Sequence, residues 1–137
     1  MRPVLGSNGG NEGYLAGQWP SFWNGEATGW TGLVRVDNTT YTWMGNPNPL
    51  PPIVNQTVFS YTSTRSIFTL NAGGVALNVT FTSPVTPDDL LRQSFPITYM
   101  SVDVQSADGN KHTVQLYTDV SAGVLENLAV SGSQLTD

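Results

Sequence analysis

Strict alternation of apolar with small or polar side chains is the feature that most restricts how this chain can fold. Between residues 75 and 82 every second residue is apolar: Val75, Leu77, Val79 and Phe81. Successive side chains of a strand point to opposite faces of a sheet, so this pattern buries one face and leaves the other in solvent. A period of two runs through residues 57–83 as a whole. The pattern predicts neighbouring strands of an antiparallel sheet.

Short segments with the same period recur along the chain. They predict strands at residues 32–36, 40–44, 58–62, 65–70, 100–104 and 114–120. Turn residues separate several of them, as at Asp37-Asn38. One helical signal follows residue 85, with Thr86 as N-cap, Pro87 at the first helical position and two acidic residues behind it. The fold class predicted is all-β, an antiparallel β-sandwich with one short helical turn.

Length and composition predict one domain. The chain has 137 residues, enough for a self-sufficient core. Residues 1–17 are rich in Gly and Asn without an apolar period, which predicts a flexible N-terminal arm. Residues 18–137 are predicted to form a single β-sandwich domain, or a fragment of a larger N-terminal domain.

Charge and composition exclude several classes of partner. The net charge is −5 with only 11% charged residues, and the basic residues are scattered, so we expect no nucleic-acid partner. No apolar run approaches the roughly 20 residues of a membrane-spanning helix, so we expect no membrane partner. The chain has no cysteine and one histidine, which excludes a thiol nucleophile and a histidine-rich metal site.

Three triplets fit the N-glycosylation acceptor pattern, and they begin at Asn38, Asn55 and Asn78. Each lies in or beside a predicted strand or turn, which favours a secreted, extracellular glycoprotein. Residues 1–3 lead directly into Gly-rich sequence without a signal peptide. We therefore expect a mature or engineered form from which the leader is absent.

A search for catalytic groups yields no convincing set. His112 stands beside a predicted turn and is interpreted as a solvated surface group. The adjacent acids Asp88 and Asp89 are accounted for as first-turn residues of the helix. Glu26 and the strand acids do not pair by spacing, and no G-x-S-x-G elbow is present. We predict no catalytic residue, no metal site and no cofactor in this chain.

The aromatic residues give the remaining candidate site. All four tryptophans fall within residues 18–44. The predicted ligand or partner surface consists of Trp19, Phe22, Trp23, Glu26 and Trp30. Exposed tryptophans can stack on sugar rings, but clustered aromatics are more often core, so these residues either bind a glycan, plug one end of the sandwich or pack on another domain.

Specific stretches of this sequence resemble the N-terminal domain of the secreted fungal glutaminase A family. The most characteristic are TSTRSIFT at residues 62–69 and FTSPVTPDDL at residues 81–90, and the resemblance extends over residues 18–122. It implies a β-rich N-terminal domain of a large extracellular hydrolase that converts glutamine to glutamate and ammonia, followed in the family by a large helical domain. It also implies that this chain stops before the helical part, and it assigns no catalytic residue here.

Three hypotheses follow. The first is a non-catalytic β-sandwich module that packs on a missing helical catalytic domain, and that self-associates when free. The second is a stand-alone secreted carbohydrate-binding, lectin-like or immunomodulatory protein, with glycans as partners. The third is a self-contained amidohydrolase.

Overall fold

A computed structural model of the protein describes residues 13–21, 27–95 and 97–121. Its strands are β1 (Trp30–Val36), β2 (Thr39–Met44), β3 (Asn55–Tyr61), β4 (Arg65–Ala72), β5 (Val75–Thr82), β6 (Tyr99–Ser106) and β7 (Val114–Val120). They form a three-stranded sheet in the order β2-β1-β7 and a four-stranded sheet in the order β3-β4-β5-β6. Every neighbouring pair of these strands is antiparallel. The all-β fold of two antiparallel sheets predicted from the sequence is confirmed.

The hairpin turns follow from residues that tolerate a left-handed backbone. Asp37, in the β1–β2 turn, has φ of 53°, a conformation in which Asp is several-fold enriched. Gly73 and Gly74, between β4 and β5, have φ of 54° and 83°. Positive φ at both central residues is what a two-residue hairpin turn with the twist of the flanking strands requires. The turns therefore fix the strand register on both sheets.

The core lies between the two sheets and collects the inward face of each strand. In β5 buried and partly exposed residues alternate without exception, as the sequence predicts. Full burial of each large apolar side chain contributes about 1.5–3 kcal/mol. The core cluster contains Leu15, Val34, Val36, Trp43, Met44, Val54, Phe68, Leu70, Ala72, Val75, Leu77, Val79 and Phe81.

The segment at residues 13–17 packs on the sandwich, although its sequence has no apolar period. Leu15 is buried in the core. The Gln56 side-chain carbonyl accepts a hydrogen bond from the Leu15 amide at 3.1 Å, and the Gln56 side-chain amide donates to the Gly13 carbonyl at 2.9 Å. One side chain of β3 thus fastens this part of the predicted arm. Residues 1–12 lie outside the described residues.

The helix begins later than the sequence predicts. Helix α1 (Leu90–Ser94) has Asp89 as its N-cap, and the Asp89 carboxylate accepts a hydrogen bond from the Arg92 amide at 3.0 Å. Thr86 instead opens a preceding turn, in which its carbonyl accepts from the Asp89 amide at 3.1 Å. The N-cap prediction at Thr86 was wrong because a carboxylate three residues later satisfies the helix donors. Within the described part of the chain, no helix has the length and apolar character needed to cross a membrane.

Candidate functional site

The predicted aromatic surface is described only in part. Trp30 is partly buried and packs edge-on against Phe81 of the opposite sheet, with ring centroids 5.5 Å apart. Trp19 is 38% exposed. A Cβ at Gly45 would lie 3.2 Å from the Trp19 ring and 2.5 Å from the Trp30 carbonyl, so both tryptophans border this glycine. Phe22, Trp23 and Glu26 lie outside the described residues, so a joint surface of all five residues stays a prediction.

Trp30 marks one end of the sandwich, which we call the indole end. Trp30 pairs with Val120, the last residue of β7, and Phe81 pairs with Met100 near the start of β6. The β5–β6 connection, which carries α1, leaves the sandwich at this same end. The Trp30 ring packs edge-on against Phe81 between the two sheets at this end. This contact favours a packing role for the Trp30 ring over a free platform on which a sugar could stack.

The β5–β6 connection exposes several large apolar side chains. Leu90 and Leu91 of α1 are 81% and 71% exposed, and no residue of α1 is buried. We call the exposed apolar residues along this connection and at the start of β6 the connection surface: Val85, Leu90, Leu91, Phe95, Ile97 and Tyr99. Large exposed apolar patches mark interaction sites on soluble proteins, so the connection surface is a candidate for one.

The sequence contained a signal for this surface that the strand and cap patterns hid. Every alternating apolar residue of β5 is already in the core, so the leucines that follow are not needed to fill it. Two adjacent leucines in a five-residue helix between exposed polar residues indicate a second apolar surface.

Three of the described carboxylates, those of Asp89, Asp103 and Asp119, lie apart from one another. Asp103 is exposed on β6. Asp119 accepts a hydrogen bond from the Tyr117 hydroxyl at 2.6 Å, and this bond raises the pKa of Tyr117. Asp89 caps α1 and pairs with Arg92 at 3.2 Å. Among the described residues no group of three or more His, Cys, Asp or Glu side chains could hold a metal ion.

His112 lies at the opposite end, where the β1–β2, β4–β5 and β6–β7 connections meet. Its Nδ1 is 2.8 Å from Asp37 Oδ2 and its Nε2 is 2.9 Å from Asp108 Oδ1. The His112 side chain is only 13% exposed. The sequence interpretation of a solvated surface histidine was therefore wrong, because two carboxylates from separate connections enclose the ring. We call Asp37, Asp108 and His112 the histidine clamp.

Hydrogen bonds set the pKa values of the histidine clamp. Those from Asp37 and Asp108 raise the pKa of His112. Hydrogen bonds with His112 and from the Thr113 amide lower the pKa of Asp37. A hydrogen bond from the Asn110 backbone amide, and then one with His112, hold the pKa of Asp108 far below its ordinary range. Both ring nitrogens are occupied, so His112 has no free nitrogen with which to accept a proton from a substrate.

The three glycosylation asparagines occupy different positions. Asn38 is exposed in the β1–β2 turn and Asn55 is exposed at the first residue of β3. Asn78 lies on the outward face of β5, where its Oδ1 accepts a hydrogen bond from the Thr69 hydroxyl at 3.0 Å. Their glycosylation stays a prediction.

Comparison with known proteins places the chain in a family. Residues 64–133, about half of the chain, match the family described as Domain of unknown function (DUF5127). This chain belongs to that family. The match includes β4 to β7, and therefore the connection surface and two of the three clamp residues. No solved structure matches the DUF5127 chain.

Two curated relatives are fungal. Glutaminase A of Aspergillus oryzae is 59% identical over 118 residues, which cover 85% of this chain and 17% of the relative. A protein of Arthroderma benhamiae, named as a probable glutaminase, is 29% identical over 119 residues, covering 75% of this chain and 13% of the relative. The resemblance to the glutaminase A family is confirmed. The chain spans about a sixth or less of the length of these relatives.

Proposed function

We propose that this chain is a non-catalytic β-sandwich module of a secreted glutaminase-type glycoprotein, which supports the rest of that polypeptide by packing against it. The observation that carries the proposal is the connection surface, whose helix has no buried residue. The relatives contain several times more polypeptide than the part that matches this chain, and that remainder is the partner we propose.

The energetics favour a partner on the connection surface. Covering a large apolar side chain that is now exposed contributes about 1.5–3 kcal/mol, so Leu90, Leu91 and Phe95 together offer several kcal/mol. Fixing the β5–β6 connection in one conformation costs conformational entropy, which contacts of its side chains have to offset. A hydrophobic partner supplies those contacts.

The charges near the connection surface do not oppose an apolar partner. The described connection carries Asp88, Asp89 and Arg92. Asp89 and Arg92 form an ion pair at 3.2 Å, and Asp89 also caps the helix, so two of the three charges are satisfied within α1. An approaching apolar surface therefore has to desolvate few unpaired charges.

The sequons leave the connection surface free. Asn38 and Asn55 lie at the clamp end, since Asn55 pairs with Asn71 beside the β4–β5 turn. Asn78 is in the middle of β5, on its outward face. Glycans at these positions would stand away from the indole end, which leaves the connection surface free for a protein partner.

The non-catalytic part of the proposal rests on His112 and the carboxylates. His112 has both nitrogens occupied by Asp37 and Asp108, which lie away from the indole end. The described acids do not form an unengaged pair of the kind that acid–base hydrolysis requires. We therefore assign ammonia release from glutamine to a part of the longer relatives outside the segment that matches this chain.

The proposal is tested on the purified chain by its association state. Because the connection surface has no partner in the free chain, we expect concentration-dependent self-association in light scattering coupled to gel filtration. The double substitution Leu90→Glu and Leu91→Glu should give a monomer. Leu50→Glu is the matched control, since Leu50 is an exposed leucine in the proline-rich loop outside this surface, and it should leave the association unchanged.

Two results would contradict the proposal. One is a strict monomer at high concentration in the unsubstituted chain. The other is equal loss of association in the Leu50→Glu variant, which would show that exposed apolar side chains in general, and not the connection surface, drive the contact.

A further inference from the structure

Three connections meet at the histidine clamp. Asp37 belongs to the β1–β2 turn, and Asp108 and His112 belong to the β6–β7 connection. The β4–β5 turn abuts them, since a Cβ at Gly74 would lie 2.8 Å from Asp108 Oδ2 and 3.0 Å from His112 Nε2. The Ala107 amide also donates to the Gly74 carbonyl at 2.8 Å. The clamp thus joins turns of both sheets.

The clamp requires a doubly protonated ring. Ionised carboxylates only accept hydrogen bonds, and a neutral imidazole donates from one nitrogen only. His112 faces a carboxylate oxygen within 2.9 Å of each nitrogen, so both nitrogens donate only when the ring is an imidazolium. Loss of one proton leaves a lone pair directed at a carboxylate oxygen, which replaces an attraction with a repulsion.

We propose that the histidine clamp is a pH-dependent fastening that holds the β6–β7 connection to the β1–β2 turn in mildly acidic solution and opens on one side when His112 loses a proton. This inference is independent of the proposed function. It assigns a conformational role to the chain's one histidine.

Among the residues that the structure describes, few charged groups lie around His112. The β1–β2 turn contributes Asp37, and the β6–β7 connection contributes Asp108 and, next to the histidine in sequence, Lys111. The β4–β5 turn, Gly73 and Gly74, brings no titratable side chain. The two carboxylates are the groups whose charges act on the ring.

The direction of the pH dependence follows from the pKa shifts. The raised pKa of His112 gives a stabilisation that is complete below its ordinary value of 6.5 and is lost as pH rises through the higher folded value. The lowered pKa values of Asp37 and Asp108 give stabilisation that is present above their ordinary value of 3.8 and is lost as pH falls through the folded values. The clamp is therefore closed at mildly acidic pH.

Opening of the clamp acts first on the N-terminal end of β7, at Val114. The Thr113 amide donates to Asp37 Oδ1 at 2.9 Å, and the Asp37 amide donates to the Thr113 carbonyl at 2.8 Å. These bonds stand next to the Val36–Val114 pair, where the pairing of β7 with β1 begins. Among the described strands β7 is an edge strand that pairs with β1 alone, so a loosened clamp allows this end to fray.

The test is an NMR titration of the imidazole nitrogens. The chain has one histidine, so its signals need no assignment by substitution. We expect both nitrogens to carry protons in mildly acidic solution and a titration midpoint above 6.5, the ordinary histidine value. Asp37→Asn retains a side-chain oxygen that can accept from the Thr113 amide, and asparagine tolerates the left-handed backbone of the turn. The substitution should lower the titration midpoint of His112. Asp103→Asn, an exposed acid of β6, is the control and should not.

Hydrogen exchange of the Thr113 amide provides the second measurement. Its protection, corrected for the intrinsic exchange rate, should be lower above the measured titration midpoint of His112 than below it, and His112→Gln should remove the difference. A midpoint at or below 6.5 overturns the inference. So does an equal effect of Asp37→Asn and Asp103→Asn, or a Thr113 protection that does not change with pH.

Discussion

Substitution of Gly32 by alanine probes how closely the Trp43 ring of β2 packs against the backbone of the neighbouring strand β1. Gly32 is buried in β1, and a Cβ built on it would lie 2.5 Å from Cζ2 and 2.7 Å from Cδ2 of Trp43. Atoms at such distances overlap, so one of the two residues has to move. Trp43 is fully buried, and the contact involves the body of its ring rather than a flexible end.

Two opposing effects set the magnitude. Glycine within a strand costs about 0.5–1 kcal/mol relative to alanine, so Gly32→Ala would stabilise the protein by that amount if the space were open. Forcing an extra carbon into a tightly packed core costs about 1–3 kcal/mol and occasionally more. Because the indole ring is fully buried, we expect the packing cost to win, with a net loss of about 1–2 kcal/mol in the free energy of unfolding.

The assay is urea unfolding followed by circular dichroism, with the substitution also made in a Trp43→Phe background. The smaller ring should reduce the cost of Gly32→Ala by about 1 kcal/mol, the usual size of coupling between residues in contact. Gly109→Ala is the control: Gly109 has φ of 79° with no atom near the new Cβ, so its cost is one of backbone conformation. That cost should be the same in both backgrounds. A Gly32→Ala protein as stable as the unsubstituted chain would refute the reasoning.

Three further predictions concern the core, the N-terminal segment and catalysis. Phe81→Ala should lower the free energy of unfolding by about 3–5 kcal/mol because it leaves a buried cavity. Phe95→Ala on the connection surface should change it by about 0.5 kcal/mol or less. Equal effects of the two substitutions in urea unfolding would contradict the assigned core. Gln56→Ala should speed hydrogen exchange of the Leu15 amide, and unchanged exchange would show that another contact fastens the segment. The purified chain should release no ammonia from glutamine in a coupled assay in which Glutaminase A of Aspergillus oryzae serves as the positive control, and release in proportion to chain concentration would support the amidohydrolase hypothesis.

Local sequence patterns were sufficient to predict most of the strands and turns of the fold. The alternation of β5 and the Asp37-Asn38 turn depend on neighbours in sequence, and the structure reproduces both. The helix start shifted by one short turn because two capping candidates, Thr86 and Asp89, stand three residues apart, and only their geometry decides between them. Periodicity alone therefore predicts which elements exist better than where each begins.

The candidate sites depended on contacts between distant residues. Asp37 and His112 are 75 positions apart, so no spacing rule joins them. Leu15 enters the core because Gln56 of β3 binds the main chain on either side of Tyr14. The glycine-rich sequence around Leu15 gives no sign of this contact. The connection surface was missed for a different reason: the pattern after residue 85 predicted only a short helical turn, and the exposure of its apolar residues is what shows that the core does not use them.

The central claim is that the connection surface packs against the remainder of a longer glutaminase-type polypeptide. It is tested most directly in a hybrid, in which this chain replaces the matching segment of Glutaminase A of Aspergillus oryzae. The measurement is the thermal unfolding midpoint of the hybrid with Leu90→Glu and Leu91→Glu, compared with Leu50→Glu.

The account predicts that the double substitution lowers the midpoint of the hybrid, whereas Leu50→Glu does not. In the isolated chain at low concentration neither should matter, because all three leucines are exposed there. A hybrid whose midpoint is the same with both sets of substitutions would contradict the claim.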